Sequence, residues 1–402
     1  MDNFTEYMPQ MLMGNELKET LSVFPPYAVA IRKASVAERV IELSRIYDVY
    51  CPSPMSEEIY CKLYLALLRS LQKKQTKIAT MQGNINRQSI SNGIIGGSDS
   101  FTILGMSGIG KSSAISRAIS LIAPKPIIIT QEPYARIAPI ITVQTPYDCS
   151  VKGLLLEILR EVDKALDTNY HSYALKVRAT TDSLIGSVAN VCLHSVGLLI
   201  IDEFQNICSK NGANLMGTLL NLINSSGISV AMVGTLETKA FFSNASFQLS
   251  RRSLGLEYSS LHLDDCFFRL CRTLTSYLYV RNDFTLTDEI VQWLYSHSNG
   301  VTSVVVSLIK DAQEMAMLDG SETLSISSLG KAYNQRLALL HNHIEIKTVK
   351  HQSIKSTVVP CKPTKEIDAE NFISNMISKT KRSGEDLFSL LREQINIIEV
   401  SV

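Results

Sequence analysis

The sequence predicts an α/β fold, in which a parallel sheet flanked by helices lies between an N-terminal helical module and a C-terminal helical domain. Short apolar runs typical of buried strands occur at 101–104, 197–201 and 228–233. Segments of helical period separate most of these runs, which implies parallel strands with helices on both faces. Helical periodicity prevails before about residue 82 and after about residue 261.

Four regions follow from this reading of the chain. They are a helical N-terminal module at 1–81, an α/β core at 82–260, a helical lid domain at 261–340, and a flexible tail with a terminal helix at 341–402. Within the first region, Ser35 and Glu38 form an S-x-x-E capping box, and Ser56 is expected to cap a second helix. In the α/β core, Ser150 is expected to cap a long amphipathic helix. The polar, glycine-rich stretch 82–100 is typical of a loop, and the terminal helix is expected to start at Ser383.

Composition restricts the class of protein and its surroundings. The hydrophobic fraction of 45% is that of a globular protein, and no apolar run is long enough to span a bilayer, so we expect no membrane partner. The N-terminus does not resemble a secretion signal, and the eight cysteines are scattered without metal-site spacing, so we expect reduced thiols and a cytoplasmic protein. A net charge of +1 argues mildly against nucleic acid as a partner. Duplex binding would then require a local basic stripe or many copies of the chain.

The segment Gly105-Met-Ser-Gly-Ile-Gly-Lys111-Ser112 matches the P-loop pattern G-x-x-x-x-G-K-[ST]. Its glycines let successive backbone N–H groups face phosphate oxygens, and the helix that follows adds its positive end. Lys111 would hold the β- and γ-phosphates of ATP, and the Ser112 hydroxyl would ligate Mg²⁺. The residues predicted to bind the nucleotide are Gly105, Ser107, Gly108, Ile109, Gly110, Lys111, Ser112 and Ser113.

Two later strands end in polar side chains. The apolar run from Leu198 ends in Asp202 and Glu203, as a Walker B strand does. Asp202 would hold the Mg²⁺ shell, and Glu203 would orient or deprotonate the attacking water. The next apolar run ends in Gly234 and Thr235. The sequence therefore predicts an enzyme that hydrolyses ATP to ADP and phosphate.

This combination of motifs resembles the AAA+ class of ATPases and, within it, the TnsC/TniB family of transposition regulators, over roughly residues 30–340. The resemblance rests on the P-loop, on the segments 144–154, 199–206 and 233–235, and on the Asn-Gly-Val-Thr that opens a lid helix at 299–302. It implies a protein that binds ATP, self-associates into rings or filaments on double-stranded DNA, and passes a target chosen by a selector protein to a DDE transposase. Hydrolysis of ATP would take the assembly apart.

The resemblance also implies roles for further residues. Thr235 would present its hydroxyl to the γ-phosphate and the water as sensor 1, although it could instead only cap the next helix. Arg251 or Arg252 would act as an arginine finger on the neighbouring subunit's nucleotide, although surface arginines are common. Lys152 matches a family region that follows the DNA backbone, with an ordinary solvated lysine as the alternative. Thr302 and Ser303 stand where many AAA+ proteins carry a sensor 2 arginine, so that contribution is in doubt.

Two other functions fit the same motifs. An origin-recognition or helicase-loader-like AAA+ protein would need a C-terminal winged-helix domain, and the residues after Leu340 are few and irregular. A signalling ATPase would use its nucleotide as a switch for a protein partner, without DNA. The near-neutral charge slightly favours this second alternative.

Overall fold

A computed structural model of the 402-residue chain provides the coordinates. It describes residues 4–87, 100–131, 134–146, 150–206, 217–218, 221–223, 226–239 and 255–338, with 76–87 described as backbone only. The predicted arginine finger (Arg251 or Arg252) and the tail with its helix from Ser383 lie outside these residues.

Six strands form one sheet in the order β2-β3-β4-β5-β1-β6. They are β1 (Phe101–Gly105), β2 (Ile128–Gln131), β3 (Tyr134–Gln144), β4 (Val196–Asp202), β5 (Ser229–Gly234) and β6 (Leu256–Tyr258). All neighbours pair in parallel except β2, which pairs antiparallel with β3. Only two residues separate β2 from β3, too few for the crossover that a parallel pair needs. The predicted α/β class is confirmed, with this one strand reversed.

Helices cover both faces of the sheet, and more helices continue towards the C-terminus. They are α1 (Gly14–Leu21), α2 (Val36–Leu43), α3 (Pro54–Arg87), α4 (Lys111–Ile122), α5 (Val151–Leu166), α6 (Tyr170–Lys176), α7 (Thr181–Ser195), α8 (Asp265–Ser276), α9 (Asp288–Ser298), α10 (Thr302–Leu318) and α11 (Ile326–Arg336). Among the described helices, none combines the length and the apolar character needed to cross a membrane.

The apolar run of β4 is explained by burial on both sides. Leu199 and Ile201 pack in one core with α5 and α7, whereas Leu198 and Ile200 pack in another with α3 and α4. Successive side chains of a strand point to opposite faces, so a sheet covered twice needs apolar residues at every position. The first polar position, Asp202, is then where the strand leaves the core.

Two of the predicted helix starts are confirmed, and one is wrong. Ser35 caps α2 in a reciprocal box with Glu38, and Ser150 caps α5 by accepting from the Gly153 N–H at 2.9 Å. The second helix was expected to be capped by Ser56, but α3 begins at Pro54. Proline suits the first helical position because its missing N–H would have no partner there.

The stretch predicted as a loop from residue 82 is also partly helical, because α3 continues to Arg87. The loop prediction relied on polar composition and Gly83, yet a single glycine lowers the stability of a helix by only about 1 kcal/mol.

The N-terminal region contributes to two different cores. Leu43 and Ile46 are fully buried among the helices α8 to α11, which form the lid. Leu63 and Leu67 of α3 are instead buried under the sheet. The segment before α3 is therefore part of the lid, and α3 is part of the core.

One buried ion pair joins the N-terminal segment to the lid. The Arg39 guanidinium is fully buried and donates twice to the Glu322 carboxylate, at 2.6 and 2.7 Å. This hydrogen bonding holds the pKa of Glu322 below its usual value. Because truncating either partner would leave a buried charge unpaired, the pair fixes α2 to the lid.

Candidate nucleotide site

The ends of three adjacent strands meet at one edge of the sheet. In the strand order, β5 lies between β4 and β1 and pairs in parallel with both. Leu104 is in register with Gly234, and Ile201 with Met232. The carboxyl ends of parallel strands lie at the same edge, so the P-loop, Asp202 and Thr235 converge there.

The P-loop connects β1 to α4 through two residues in the left-handed region. Gly108 has φ +80° and Gly110 has φ +94°, values that residues with a Cβ rarely adopt. The Lys111 Nζ donates to the carbonyls of Gly105 and Met106, both at 2.8 Å. The backbone thus forms a concave loop, with a cationic group at its base.

A cavity of about 320 Å³ joins this loop to the two neighbouring strand ends. It contains nine of the residues predicted from the sequence: Ser107, Gly108, Gly110, Lys111, Ser112, Ser113, Asp202, Glu203 and Thr235. Gln205, Gly234 and Ser303 complete the lining. Gly105 does not line it and is the last residue of β1, and Ile109 lines a second cavity described below.

The acidic pair is held in place by the backbone. Asp202 continues the register of β4 beside Gln144, and its carbonyl accepts from the N–H and the Oγ1 of Thr145 at 3.0 and 2.8 Å. The Glu203 N–H donates to the Asp202 carboxylate at 2.8 Å. Glu203 has φ +55°, which is uncommon for a residue with a side chain. Such strain persists only where the surroundings fix it, and it is frequent at functional sites.

Burial disfavours the charged forms of Lys111 and Asp202 in this cavity. Burial lowers the pKa of Lys111, although the carboxylates of Asp202 and Glu203 oppose the shift. Burial likewise raises the pKa of Asp202, and the Glu203 N–H and the Lys111 charge only partly offset this effect. The charged forms of both groups are therefore destabilised, and a polyanion accompanied by a cation would supply the missing partners.

Asp202→Asn is expected to raise the melting temperature of the protein measured in a chelator without nucleotide, by roughly a few degrees. The raised pKa of Asp202 means that its ionised form destabilises the folded state at neutral pH, and the amide removes that charge. Calorimetry would measure the shift, with Asp48→Asn, which neutralises an exposed carboxylate, as the matched control. An equal shift in both variants, or a lower melting temperature for Asp202→Asn, would contradict this assignment.

The Thr235 side chain has a hydroxyl with no partner in the part of the chain that the structure describes. Its Oγ1 is buried and makes no hydrogen bond there, so it does not cap the following turn. A buried hydroxyl without a partner is costly, which favours a ligand atom as its partner. Its position on the cavity wall fits the predicted contact with a phosphate or a water.

Gln205 is a site residue that the sequence analysis missed. Its side chain contacts both Glu203 and the backbone of Thr235. The sequence could have indicated it, because Gln205 lies only two residues after Glu203, just beyond the end of β4.

A second cavity of about 250 Å³ adjoins the P-loop and shares Gly108, Gly110, Ser113 and Ser303 with the first. Its apolar lining includes Tyr50 and Met55 from the N-terminal region and Leu261 and Leu270 from the lid. A planar aromatic base fits such a lining, and the glycine loop then lies between the base and the phosphates. The sequence could not predict this cavity, because its walls come from three distant segments.

The lid contacts the P-loop where the sequence lacks a sensor 2 arginine. The Ser303 N–H, in the first turn of α10, donates to the Gly108 carbonyl at 3.0 Å. A Cβ on Gly108 would lie 2.3 Å from the Ser303 Oγ, so a glycine is needed for this approach. Thr302 and Ser303 thus bring backbone and hydroxyl groups, and no positive side chain, to the nucleotide site.

The predicted DNA contact lies apart from these cavities. Lys152 is exposed in the first turn of α5 and lines neither of them.

Comparison with known proteins identifies the core of the chain. Residues 96–255 match the family of bacterial TniB proteins. The resemblance predicted from the P-loop and the strands that follow it is confirmed over this segment. The matching segment contains every predicted catalytic and nucleotide-binding residue.

Solved structures with a similar fold share little sequence with this chain. The ORC2 protein of Aeropyrum pernix in ADPNP-ADP complexes is 16% identical, with a TM-score of 0.41 over 60% of this chain and 63% of that one. The ORC1 protein of the same organism in complex with DNA is 12% identical, with a TM-score of 0.41 over 66% and 65%. Cdc6p from Pyrobaculum aerophilum is 13% identical, with a TM-score of 0.40 over 59% and 60%. This chain thus spans less than two thirds of each of these three proteins. No curated protein was found to match the chain.

Proposed function

We propose that this TniB-like chain is an ATP-hydrolysing regulator of DNA transposition. In this proposal, ATP-bound copies assemble on double-stranded target DNA and pass a target chosen by a selector protein to a DDE transposase. The observation that carries the proposal is the single cavity shared by the P-loop, Asp202, Glu203 and Thr235, within the segment that matches the TniB family.

The residues of the cavity fit a nucleotide phosphate chain with Mg²⁺. Lys111 and the P-loop N–H groups would bind the phosphates. The phosphate oxygens would then replace the carbonyls of Gly105 and Met106 as the acceptors for the Lys111 ammonium. Ser112 and Asp202 would hold Mg²⁺, since this ion takes few protein ligands and keeps phosphate oxygens and waters as the rest. When bound, Mg²⁺ neutralises charge on the phosphates. The hydroxyl of Thr235, without a partner among the described residues, supports this fit.

Glu203 would act on the attacking water. Its N–H bond to Asp202 and its left-handed backbone hold the Glu203 main chain next to the side chain proposed to bind the metal. A carboxylate in that position can accept the proton of an attacking water. Thr235, on the adjacent strand end, would position the same water or the γ-phosphate.

Assembly would complete the site and create the DNA interface. Arg251 or Arg252 of one copy would stabilise charge on the neighbouring copy's γ-phosphate, which makes hydrolysis depend on self-association. Lys152 of each copy would contact the DNA backbone. A single copy of net charge +1 would bind duplex weakly, whereas repeated contacts along one assembly would add up.

Duplex binding is expected to depend on ATP and to fall steeply with salt. Filter binding of a non-specific duplex would be measured against protein concentration, with and without a slowly hydrolysed ATP analogue. Lys152→Glu should weaken binding by at least about 10-fold, because every copy would then repel a phosphate, and it should leave ATP affinity unchanged.

Lys125→Glu is the matched control for this experiment, since it reverses another exposed charge, in the loop between α4 and β2. Assembly without any duplex binding would contradict the proposal and favour a nucleotide switch for a protein partner. An equal effect of both variants would contradict the role of Lys152.

A further inference from the structure

Gln205 connects the two strand ends on either side of the predicted water position. Its Nε2 donates to the Glu203 carboxylate, and its Oε1 accepts from the Thr235 N–H at 3.2 Å. We propose that Gln205 is a positioning residue for ATP hydrolysis, which holds the Glu203 carboxylate in a fixed relation to Thr235 at the end of β5. This inference rests on the proposed ATPase function.

The orientation of the Gln205 amide is dictated by its partners. A backbone N–H can only donate, so the Thr235 N–H must face the amide oxygen. The amide NH₂ is thereby directed at the Glu203 carboxylate, which accepts a charge-assisted hydrogen bond. Exchange of the two ends of the amide would place oxygen against carboxylate and N–H against N–H, so one orientation is strongly favoured.

The backbone that carries Gln205 is anchored to the same strand. Phe204 is fully buried, and its N–H donates to the Val233 carbonyl at 2.9 Å. The turn from Glu203 to Gln205 therefore lies against β5 by main-chain and side-chain bonds together. Such double anchoring can maintain the left-handed backbone of Glu203.

Gly234 provides the space that this arrangement needs. A Cβ at Gly234 would lie 3.1 Å from the Gln205 Oε1 and 2.8 Å from the Thr238 Oγ1. A side chain there would require the Gln205 amide to shift by a few tenths of an ångström. A glycine directly before Thr235 thus favours the close approach of the glutamine to β5.

Gln205 therefore links Glu203 to Thr235, two cavity residues that directly follow different strands. A shift of Thr235 on contact with a phosphate would move the Gln205 amide and, through it, the Glu203 carboxylate. Without the amide, the carboxylate would be free to adopt other rotamers and would occupy the productive one less often. Hydrolysis should therefore suffer, while phosphate binding, which uses other groups, should not.

Gln205→Met tests this link, because methionine keeps the length and approximate volume of glutamine and loses both hydrogen bonds. We expect kcat to fall about 10-fold with KM within about 2-fold of wild type, as for a misoriented catalytic group. Gln205→Asn keeps a polar amide, but its side chain is too short to reach both partners. We expect a similar fall in kcat for this variant. Gln292→Met on the lid helix α9, outside both cavities, is the matched control and should leave kcat unchanged.

A double-mutant cycle separates positioning from a general structural effect. If Gln205 acts through Glu203, then Gln205→Met should change the residual single-turnover rate of Glu203→Gln by less than about 2-fold. A full 10-fold loss on that background, or a normal kcat for Gln205→Met, would overturn the inference. A wild-type protein that binds no ATP or does not hydrolyse it would instead contradict the proposed function.

Discussion

Lys111→Ala is expected to lower ATP affinity by about 100-fold or more and to abolish hydrolysis. Lys111 is the only basic side chain in the described lining of the phosphate cavity, so its loss leaves the β- and γ-phosphates without a side-chain cation. Loss of one partner from a desolvated, hydrogen-bonded charge pair typically costs about 2–5 kcal/mol, which is the size of effect expected here.

The fold should survive this change. Burial already lowers the pKa of Lys111, so its charge is a cost to the folded protein in the absence of a bound anion. We therefore expect a melting temperature equal to that of wild type or higher, measured without nucleotide. Titration of a fluorescent ATP analogue would measure affinity, with Lys125→Ala as the control for loss of an exposed lysine. A folded Lys111→Ala protein with wild-type affinity would remove the P-loop from the proposed mechanism.

Glu203→Gln is expected to lower kcat by about 10²- to 10⁴-fold while ATP remains bound. The amide keeps the shape of the side chain and loses the group that accepts the proton of the water. Because hydrolysis is proposed to end assembly, assemblies formed by this variant on duplex should outlive those of wild type. Single-turnover hydrolysis and the decay of duplex-bound assemblies after dilution would measure the two effects on the same protein.

The neighbouring Glu237 gives a matched control for this substitution. It is exposed two residues after Thr235 and lies outside the described lining of the phosphate cavity. Glu237→Gln makes the same chemical change at the same edge of the sheet and should leave kcat within about 2-fold of wild type. Normal turnover by Glu203→Gln would assign the base to another residue. If Glu203→Gln hydrolyses ATP slowly but its assemblies have a normal lifetime, disassembly does not depend on hydrolysis.

Local patterns predicted the elements of the core well, because each depends on neighbours in the chain. Glycine spacing, with Lys111 immediately after, indicated the P-loop and the start of α4, and the apolar run of β4 indicated where Asp202 would emerge. The capping box of Ser35 and the cap of Ser150 were likewise local, since each bond spans three residues. The start of α3 was misplaced because two serines and two prolines within five residues offer competing caps.

The lid was harder to predict from sequence. Its later helices follow from their periodicity, but α8 was not distinguished, and the contribution of the N-terminal segment was invisible. The pairing of Arg39 with Glu322 joins residues 283 positions apart, and no local pattern links them. The reversal of β2 depends instead on its two-residue connection to β3, which is too short for a parallel crossover.

By itself, the sequence of this chain determined the chemistry available at the site: a phosphate loop with its lysine, two carboxylates and a threonine at the ends of apolar strands. These features are encoded by residue type and short spacing, which is why they can be recognised without coordinates. Only the tertiary structure decided what surrounds them. The order of the strands puts β5 between β4 and β1, so Gln205 can reach from Glu203 to Thr235. The lid places Ser303 on Gly108, because packing of distant segments, and no rule of local spacing, sets that contact.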